Sequence, residues 1–292
     1  MLEIKHRLTG ETLTEIDSET LTEIDSDTLT HADLREMTLE EADLSNMDLS
    51  GVLLNGAYMV NADLSGSNLQ GAVMSGANLE GVNLQGANLR KAIIGGTTRS
   101  NAATLEGADL SGADLRAADL RYAIVSHANF SGAQLSRADL TKADMHNSDF
   151  SGATAHNTLF IDANMREIDL SDAELRDCHL NGAILIKANL RGVTMESNED
   201  DGFCTLKRVN LEGANVTDAQ LCNLFATDCI MRRVNLSGAN LSNAVLGGTI
   251  MRNANVTNAN FEGVELATVT MAFSNFSKAL NAKIPDYKKD LR

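Results

Sequence analysis

The chain has 292 residues, one proline, no tryptophan, 4% aromatic residues and a formal net charge of −16. That charge argues against direct binding of nucleic-acid phosphates. No apolar run approaches the length of a membrane-spanning helix, and the N-terminal residues lack the pattern of a signal peptide. The sequence therefore predicts a cytoplasmic protein without a membrane partner.

The N-terminal segment is the most acidic part of the chain. Residues 1–50 contain 14 acidic and 3 basic residues, a net charge of −11, which leaves a net charge of −5 for the rest. The octad ETLTEIDS occurs twice in succession, at 11–18 and 19–26. We expect an acidic cap or a partly ordered arm that joins the repeats near Ile24 or Leu29, because the open end of a repeat fold needs covering.

The following segment repeats with a period of five residues, as in ADLSGADLRAADLRYA at 108–123. A large apolar residue, here called position i, follows Asp or Asn at i−1 and a small residue at i−2. The central positions form three unbroken runs, at 34–94, 105–195 and 206–276, with 47 repeats in all. Of these, 45 have Leu, Met, Phe, Ile or Val at i and 28 have alanine at i−2.

A five-residue apolar period fits neither an α-helix nor a β-strand, whose periods are 3.6 and 2. It fits a backbone that turns a corner every five residues, with i and i−2 pointing inward and the other positions facing water. Four such turns make a coil of about 20 residues, and coils stack at a strand spacing of about 4.8 Å. Glycine, frequent at i+2, suits a corner with unusual backbone angles.

These A(D/N)LxG repeats resemble the pentapeptide-repeat family over about 34–276. The resemblance implies an all-β fold, a right-handed quadrilateral β-helix, here with about 12 coils between short caps. It implies no single function, because one fold serves many. We expect an acidic cap or arm over 1–28, the β-helix over 29–276 and a basic C-terminal cap over 277–292.

Two interruptions, at 95–104 and 196–205, separate the three runs of repeats. Each lengthens the step between central residues from 5 to 11, which equals two repeats plus one residue. We therefore expect each interruption to fill one side of a coil and to add one residue. They are either neutral surface bulges or recognition loops. The second contains three acidic candidates for partner contacts, Glu199, Asp200 and Asp201.

Position i−1 faces outward and is mostly polar, so apolar residues there are exceptions. Seven of them form two groups that we take as candidate interaction surfaces: Leu53, Val73 and Ile93, and further along the chain Phe225, Ile230, Val245 and Ile250. Contiguous exposed apolar surface commonly marks an interface. The alternatives are that terminal segments cover these residues, or that outward positions tolerate residues with high β-propensity.

Residues that could support catalysis or bind a metal are dispersed. Only His127 and His146 come near each other in the predicted coils, and two histidines without a third ligand make a poor zinc site. Three cysteines occupy inward i−2 positions and one faces outward: Cys178, Cys204 and Cys229, and Cys222. Since a filled β-helix also lacks a deep pocket, we expect no enzyme activity, no cofactor and no metal.

Two functions follow from these patterns. The first is a non-catalytic structural or protein-interaction module, a rigid rod that docks a protein partner or a second copy as a homodimer. The second is DNA mimicry, since pentapeptide-repeat proteins of the quinolone-resistance type bind DNA gyrase or topoisomerase IV as acidic rods. The balanced charge of residues 51–292 and their leucine-rich texture favour the first function.

Overall fold

In a computed structural model of the chain, residues 2–16, 29–196 and 203–288 are described. They belong to two compact units, Met1–Asp149 and Phe150–Arg292. Besides the isolated bridges of the coils, the strands and 3-10 helices are β1 (Leu2–His6), β2 (Thr12–Ile16), β3 (Ala42–Asp43), η1 (Arg99–Asn101), η2 (Phe276–Lys278) and η3 (Asp286–Lys288). Over these described ranges there is no α-helix, and no helix long and apolar enough to cross a membrane.

Backbone pairing in the first unit repeats every 20 residues. Leu53 forms a parallel bridge with Val73, and the same spacing recurs on four ladders of bridges. The Leu54 N–H donates to the Val73 carbonyl at 2.7 Å, and the Val73 N–H donates to the Val52 carbonyl at 2.9 Å. The next coil thus satisfies the backbone groups of each coil. The predicted β-helix with four sides of five residues is confirmed.

A tight turn forms each corner of the coil. The Ala57 N–H donates to the Leu54 carbonyl at 3.0 Å, which closes a four-residue turn. The second corner residue, at i+2, has a positive φ, such as 66° at Gly66 and 55° at Asn61. Glycine enters this left-handed region freely, and asparagine and aspartate tolerate it better than other residues. The glycines, asparagines and aspartates at i+2 follow from this geometry.

The interior of the coils contains the i and i−2 side chains, as predicted. Leu115 at an i position and Ala113 at an i−2 position are both completely buried. The largest fully buried side chains are four phenylalanines, Phe130, Phe150, Phe160 and Phe261. Each coil packs its apolar side chains on those of the coils above and below it, so adjacent coils stabilise each other.

The predicted arrangement of the interruptions is wrong. Across the first, Ile93 pairs with Asp119, a spacing of 26 residues instead of 20. Thr104, the first outward i−1 residue after the interruption, pairs with Asn78 on the adjacent ladder, so no side of the coil is skipped. The interruption is therefore a six-residue insertion at one corner and fills no side of the coil. The second interruption follows the same rule, because Thr194 pairs with Gln220.

The first insertion folds tightly against the coil. A Cβ atom at Gly95 would lie 2.4 Å from the Arg121 backbone nitrogen, so only glycine permits this approach. The loop then forms η1, and the Thr98 N–H donates to Asn101 Oδ1 at 2.8 Å. Residues 197–202 of the second insertion lie outside the described residues.

The N-terminal residues form an antiparallel hairpin of β1 and β2, and β1 also pairs with β3 of an early coil, in the sheet order β2-β1-β3. Ile4 of β1 is buried, and His6 Nε2 lies 3.1 Å from Glu41 Oε2. Leu29 is already in register, since its N–H donates to the Asp48 carbonyl at 3.0 Å. Ile24, the other predicted point of entry, falls outside the described residues.

The C-terminal residues pack on the last coils of the second unit. The buried Phe276 ring lies 5.1 Å from the Phe261 ring. The Lys288 ammonium group donates to the carbonyls of Leu266 and Val269, both at 2.7 Å. This ammonium group therefore supplies two hydrogen bonds to backbone carbonyls of the last described coils.

Candidate interaction surfaces

The polar residues at i−1 form hydrogen bonds both within and between coils. Asp169 Oδ1 accepts from the Ser171 N–H at 2.8 Å and from Asn189 Nδ2 at 3.0 Å. Asn189 Oδ1 in turn accepts from Asn215 Nδ2 at 3.1 Å. One side-chain oxygen thus satisfies a corner N–H and ties two coils together, which explains the preference for Asp and Asn at this position.

These hydrogen bonds favour the charged form of the aspartates. Burial alone would raise the pKa of Asp169, but hydrogen bonds from Ser171 and Asn189 outweigh it, so the pKa lies below its usual range. The pKa of Asp48 is lowered in the same way, against its burial, by Ser50 and Asn68. Carboxylates with a lowered folded-state pKa stabilise the fold above the unfolded pKa of about 3.9, and this contribution is lost as the pH falls.

We expect Asp169→Asn to reduce the acid sensitivity of the protein. Asparagine keeps the oxygen that accepts both hydrogen bonds, so the free energy of unfolding at pH 7 should change by less than about 1 kcal/mol. Between pH 4 and pH 2.5 the variant should lose less stability than the unmodified protein. Urea unfolding at both ends of this range measures the difference. Asp169→Leu, the control, should lose stability at every pH, and equal acid sensitivity of the asparagine variant would contradict the prediction.

The first candidate surface, the Leu53 stripe, consists of Leu53, Val73 and Ile93. Bridges join each to the next, so the three lie directly above one another in the first unit. Leu53 and Val73 are half-buried and Ile93 is 42% exposed. The sequence correctly placed them on one face.

An open groove of about 500 Å³ lies at the Ile93 end of the Leu53 stripe. Its lining includes Ile93, Gly76, Asn101, Asp119 and Arg121, and the first insertion forms part of its wall. The Arg121 guanidinium donates to Asp119 at 2.6 Å, and the exposed Glu36 adds a further carboxylate to the lining. The groove therefore offers the apolar Ile93 side chain beside an ion pair and a carboxylate.

The second candidate surface, the Phe225 patch, lies in the second unit. Phe225 pairs with Val245, and Ile230 pairs with Ile250 on the next ladder. Phe225 is 43% exposed and Val245 39%. The structure adds Phe203 to this patch, because its ring is 50% exposed and lies 6.0 Å from the Phe225 ring.

The sequence did not single out Phe203 because this residue occupies no i−1 position. It follows the second insertion and stands just before the inward Cys204. An aromatic residue at a corner, where small and polar residues predominate, was the available signal. The predicted contact residues Glu199, Asp200 and Asp201 lie outside the described residues, so their role stays a prediction.

Several acidic side chains of the first unit are neutralised locally. In the motif Asp-Leu-Arg the arginine at i+1 turns back to the aspartate at i−1, as in Asp33 with Arg35 at 2.6 Å and Asp119 with Arg121. The hydrogen bond from Arg35 lowers the pKa of Asp33 to about 2. The same pairing at Arg116 lowers the pKa of Asp114. Sequence reasoning counted these charges but did not predict the pairing.

The histidine pair lies close together, as the sequence suggested. The rings of His127 and His146 are 5.3 Å apart, and His146 Nδ1 lies 2.8 Å from Asp144 Oδ1. Arg99 of the first insertion donates to the other oxygen of Asp144 at 2.8 Å, so this carboxylate anchors the loop. Among the described side chains no group of three or more His, Cys, Asp or Glu residues is placed to hold a metal ion.

The cysteines occupy the predicted positions. Three are buried at i−2 positions, and Cys222 is partly exposed. Burial raises the pKa of the Cys178 thiol to about 12 and that of Cys229 to about 11, and it raises the pKa of Cys204 well above its usual range. At neutral pH burial therefore favours the protonated form of these three thiols, which is the less reactive form.

Comparison with known structures finds likenesses to repeat proteins. One is HetL, a pentapeptide repeat protein involved in heterocyst differentiation regulation from the cyanobacterium Nostoc sp. strain PCC 7120, with 24% identity over 87% of this chain and 93% of HetL and a TM-score of 0.35. Another is a trypsin-treated variant of QnrB1, a plasmid-mediated fluoroquinolone resistance protein, with 23% identity over 60% of this chain and 87% of QnrB1 and a TM-score of 0.34. None of the curated proteins matches the chain.

The sequence profile of the family described as Pentapeptide repeats matches eight copies in the chain. The matched residues are 28–56, 57–96, 101–133, 125–154, 158–196 and 229–266, together more than half of the chain. Membership implies the right-handed sense of coiling that the sequence predicted. Proteins of this family are generally structural or protein-interacting rather than catalytic. This chain belongs to the pentapeptide-repeat family.

Proposed function

We propose that the protein is a non-catalytic interaction module that presents apolar patches on a β-helical scaffold to a protein partner or to a second copy. The observation that supports this most directly is the Phe225 patch. Phe203, Phe225 and Val245 expose contiguous apolar surface at or beside outward positions where the same coils elsewhere have asparagine, aspartate or threonine. Exposed apolar surface of this kind is costly in water unless a partner covers it.

The ladder through Ile230 illustrates the contrast between apolar and polar outward residues. It runs from Asn210 through Ile230 and Ile250 to Thr270. The neighbouring ladder has asparagines at the same levels, and Asn255 Nδ2 donates to Asn235 Oδ1 at 2.9 Å. The side chains of Ile230 and Ile250 cannot form such hydrogen bonds between coils, and burial against a partner would compensate for that loss.

Substitution of single outward residues tests this function. We expect Val245→Asp to abolish retention of the partner, or to lower the mass in solution, while the fold remains intact. Val73→Asp tests the Leu53 stripe in the same way. Gln134→Asp and Gln220→Asp place the same charge at other outward i−1 positions and should change neither property. Light scattering and retention of proteins from the source organism measure the effects, and unchanged behaviour of both valine variants would refute the proposal.

DNA mimicry is the alternative function, and the net charge of −16 is compatible with it. The concentration of that charge in residues 1–50 counts against it, because the rest of the chain is nearly balanced. The paired Asp-Leu-Arg motifs of the first unit count against it, because an arginine neutralises each of these carboxylates. A gyrase supercoiling assay with and without a fluoroquinolone separates the two functions. Inhibition or protection at micromolar protein would favour mimicry over the interaction module.

We also propose that the terminal segments cap the β-helix of about 12 coils, as repeat folds with open ends require. At the N-terminal end the support is the buried Ile4 and the pairing of β1 with β3. At the C-terminal end it is the Lys288 ammonium group, which donates to two carbonyls of the last coils. Both contacts occupy backbone groups that would otherwise invite edge-to-edge aggregation.

A further inference from the structure

The Phe225 patch lies among basic residues, although the chain as a whole is strongly acidic. Lys207 and Arg208 form the corner between the ladder of Phe225 and the ladder of Ile230, and both are exposed. The corner on the other side of Ile230 has Arg232 and Arg233.

Arg252 extends this basic corner to the next coil. The Arg233 N–H donates to the Arg252 carbonyl at 2.9 Å, so the two arginines lie one above the other. Residues 203–252 contain five basic and three acidic residues. Acidic side chains also lie there, since Arg233 Nη1 is 3.8 Å from Glu212 Oε1 and Asp228 is exposed at the corner between Phe225 and Ile230. The patch therefore combines exposed aromatic and aliphatic side chains with an excess of cations, a surface that suits an acidic partner with apolar groups.

The N-terminal end of the first unit has the complementary chemistry. The described residues 2–16 and 29–50 contain nine acidic and three basic residues. Glu3, Glu36 and Glu40 are exposed. The hairpin adds two exposed apolar side chains, Leu8 and Leu13, and β2 is the edge strand of its sheet.

We propose that the Phe225 patch of one molecule binds the acidic N-terminal end of a second copy of this chain. This inference names the partner of one proposed surface and so rests on the proposed function. The contact joins two different surfaces, which makes it heterologous rather than two-fold symmetric. Each copy still has one free patch and one free end, so association can continue beyond a dimer as the protein concentration rises.

The test uses two variants of the full chain. The patch variant carries Arg232→Glu and Arg233→Glu, and the end variant carries Glu36→Lys and Glu40→Lys; all four side chains are exposed. Sedimentation should show that the unmodified protein associates at micromolar concentration in 50 mM salt and at least ten-fold more weakly in 500 mM salt, since screening weakens contacts between exposed charges. Each variant alone should remain a monomer of 31.2 kDa.

The decisive measurement is an equimolar mixture of the two variants. The end variant retains an intact patch and the patch variant retains an intact end, so the mixture should form a heterodimer that does not grow further. A matched control carries Arg90→Glu and Lys91→Glu, the same charge change at a corner of the first unit. Lys91 and Arg233 have nearly the same backbone, with φ values of 57° and 56°. This control should associate like the unmodified protein.

Three results would overturn the proposal. They are a monomeric unmodified protein, association of either variant alone, and a mixture that stays monomeric. A symmetric patch-to-patch dimer gives the second result, because the end variant would still dimerise. A failure of the proposed function gives a different result: Val73→Asp and Val245→Asp then change neither the mass in solution nor the set of retained proteins.

Discussion

Phe160→Ala should destabilise the second unit by about 3–5 kcal/mol, the usual cost of removing a buried phenylalanine ring. Phe160 has no exposed surface, and its N–H donates to the His179 carbonyl of the next coil at 2.8 Å. The coils above and below cannot collapse into the resulting cavity without breaking these backbone bonds. Chemical unfolding measures the loss, and hydrogen exchange should show the largest change in the coils adjacent to residue 160.

Two further substitutions control for this effect. Phe160→Leu should cost much less, about 1 kcal/mol, because leucine is the usual residue at central positions and fits the same interior. Phe273→Ala removes the same ring from a site that is 63% exposed and should change stability by less than about 0.5 kcal/mol. If Phe160→Ala cost no more than Phe273→Ala, the packed interior would be refuted.

Only one of the four thiols should react quickly with a disulfide reagent in the folded protein. Thiolate is the reactive form, and a rise in pKa from about 9 to about 12 lowers its fraction at pH 8 by about 1000-fold for Cys178. Cys222 is partly exposed and should account for the single fast thiol. Reaction in denaturant should reveal all four, and Cys222→Ser should abolish the fast phase.

The same raised pKa values predict a loss of stability at high pH. A thiol whose pKa is higher in the folded state stabilises the fold fully below the unfolded pKa of about 8.5, and this contribution is lost as the pH rises toward the folded value. Unfolding midpoints should therefore fall between pH 8.5 and 11. Two or more fast thiols in the folded protein would show that Cys178, Cys204 or Cys229 is accessible and would contradict this account.

Most of the fold could be predicted because the five-residue period determines where each side chain points. Leu115 and Ala113 are buried as expected, and Leu53 and Val73 lie one above the other because the count between them is uninterrupted. The prediction failed where counting became ambiguous. The step of 11 residues from Ile94 to Leu105 can be two repeats plus one residue or one repeat plus six residues. The pairing of Ile93 with Asp119 distinguishes these two arrangements.

Other features depended on contacts between parts of the chain that the repeat does not relate. The antiparallel pairing of β1 with β3 joins residues near 5 to residues near 43 and follows no five-residue rule. The salt bridge from Arg99 to Asp144 connects an insertion to a coil 45 residues away. Within the candidate surfaces, the period located Phe225 and Val245, but Phe203 required the actual path of the chain after the insertion.

The corner insertions have a consequence for how such a protein can change. Ile93 and Asp119 form the same parallel bridge as pairs that are 20 residues apart, so the six added residues leave the following coils in register. Loop length and scaffold integrity are therefore separable properties. New recognition sequences can therefore be inserted at a corner of this protein, whereas one residue added within a side would turn the inward side chain of that side toward solvent.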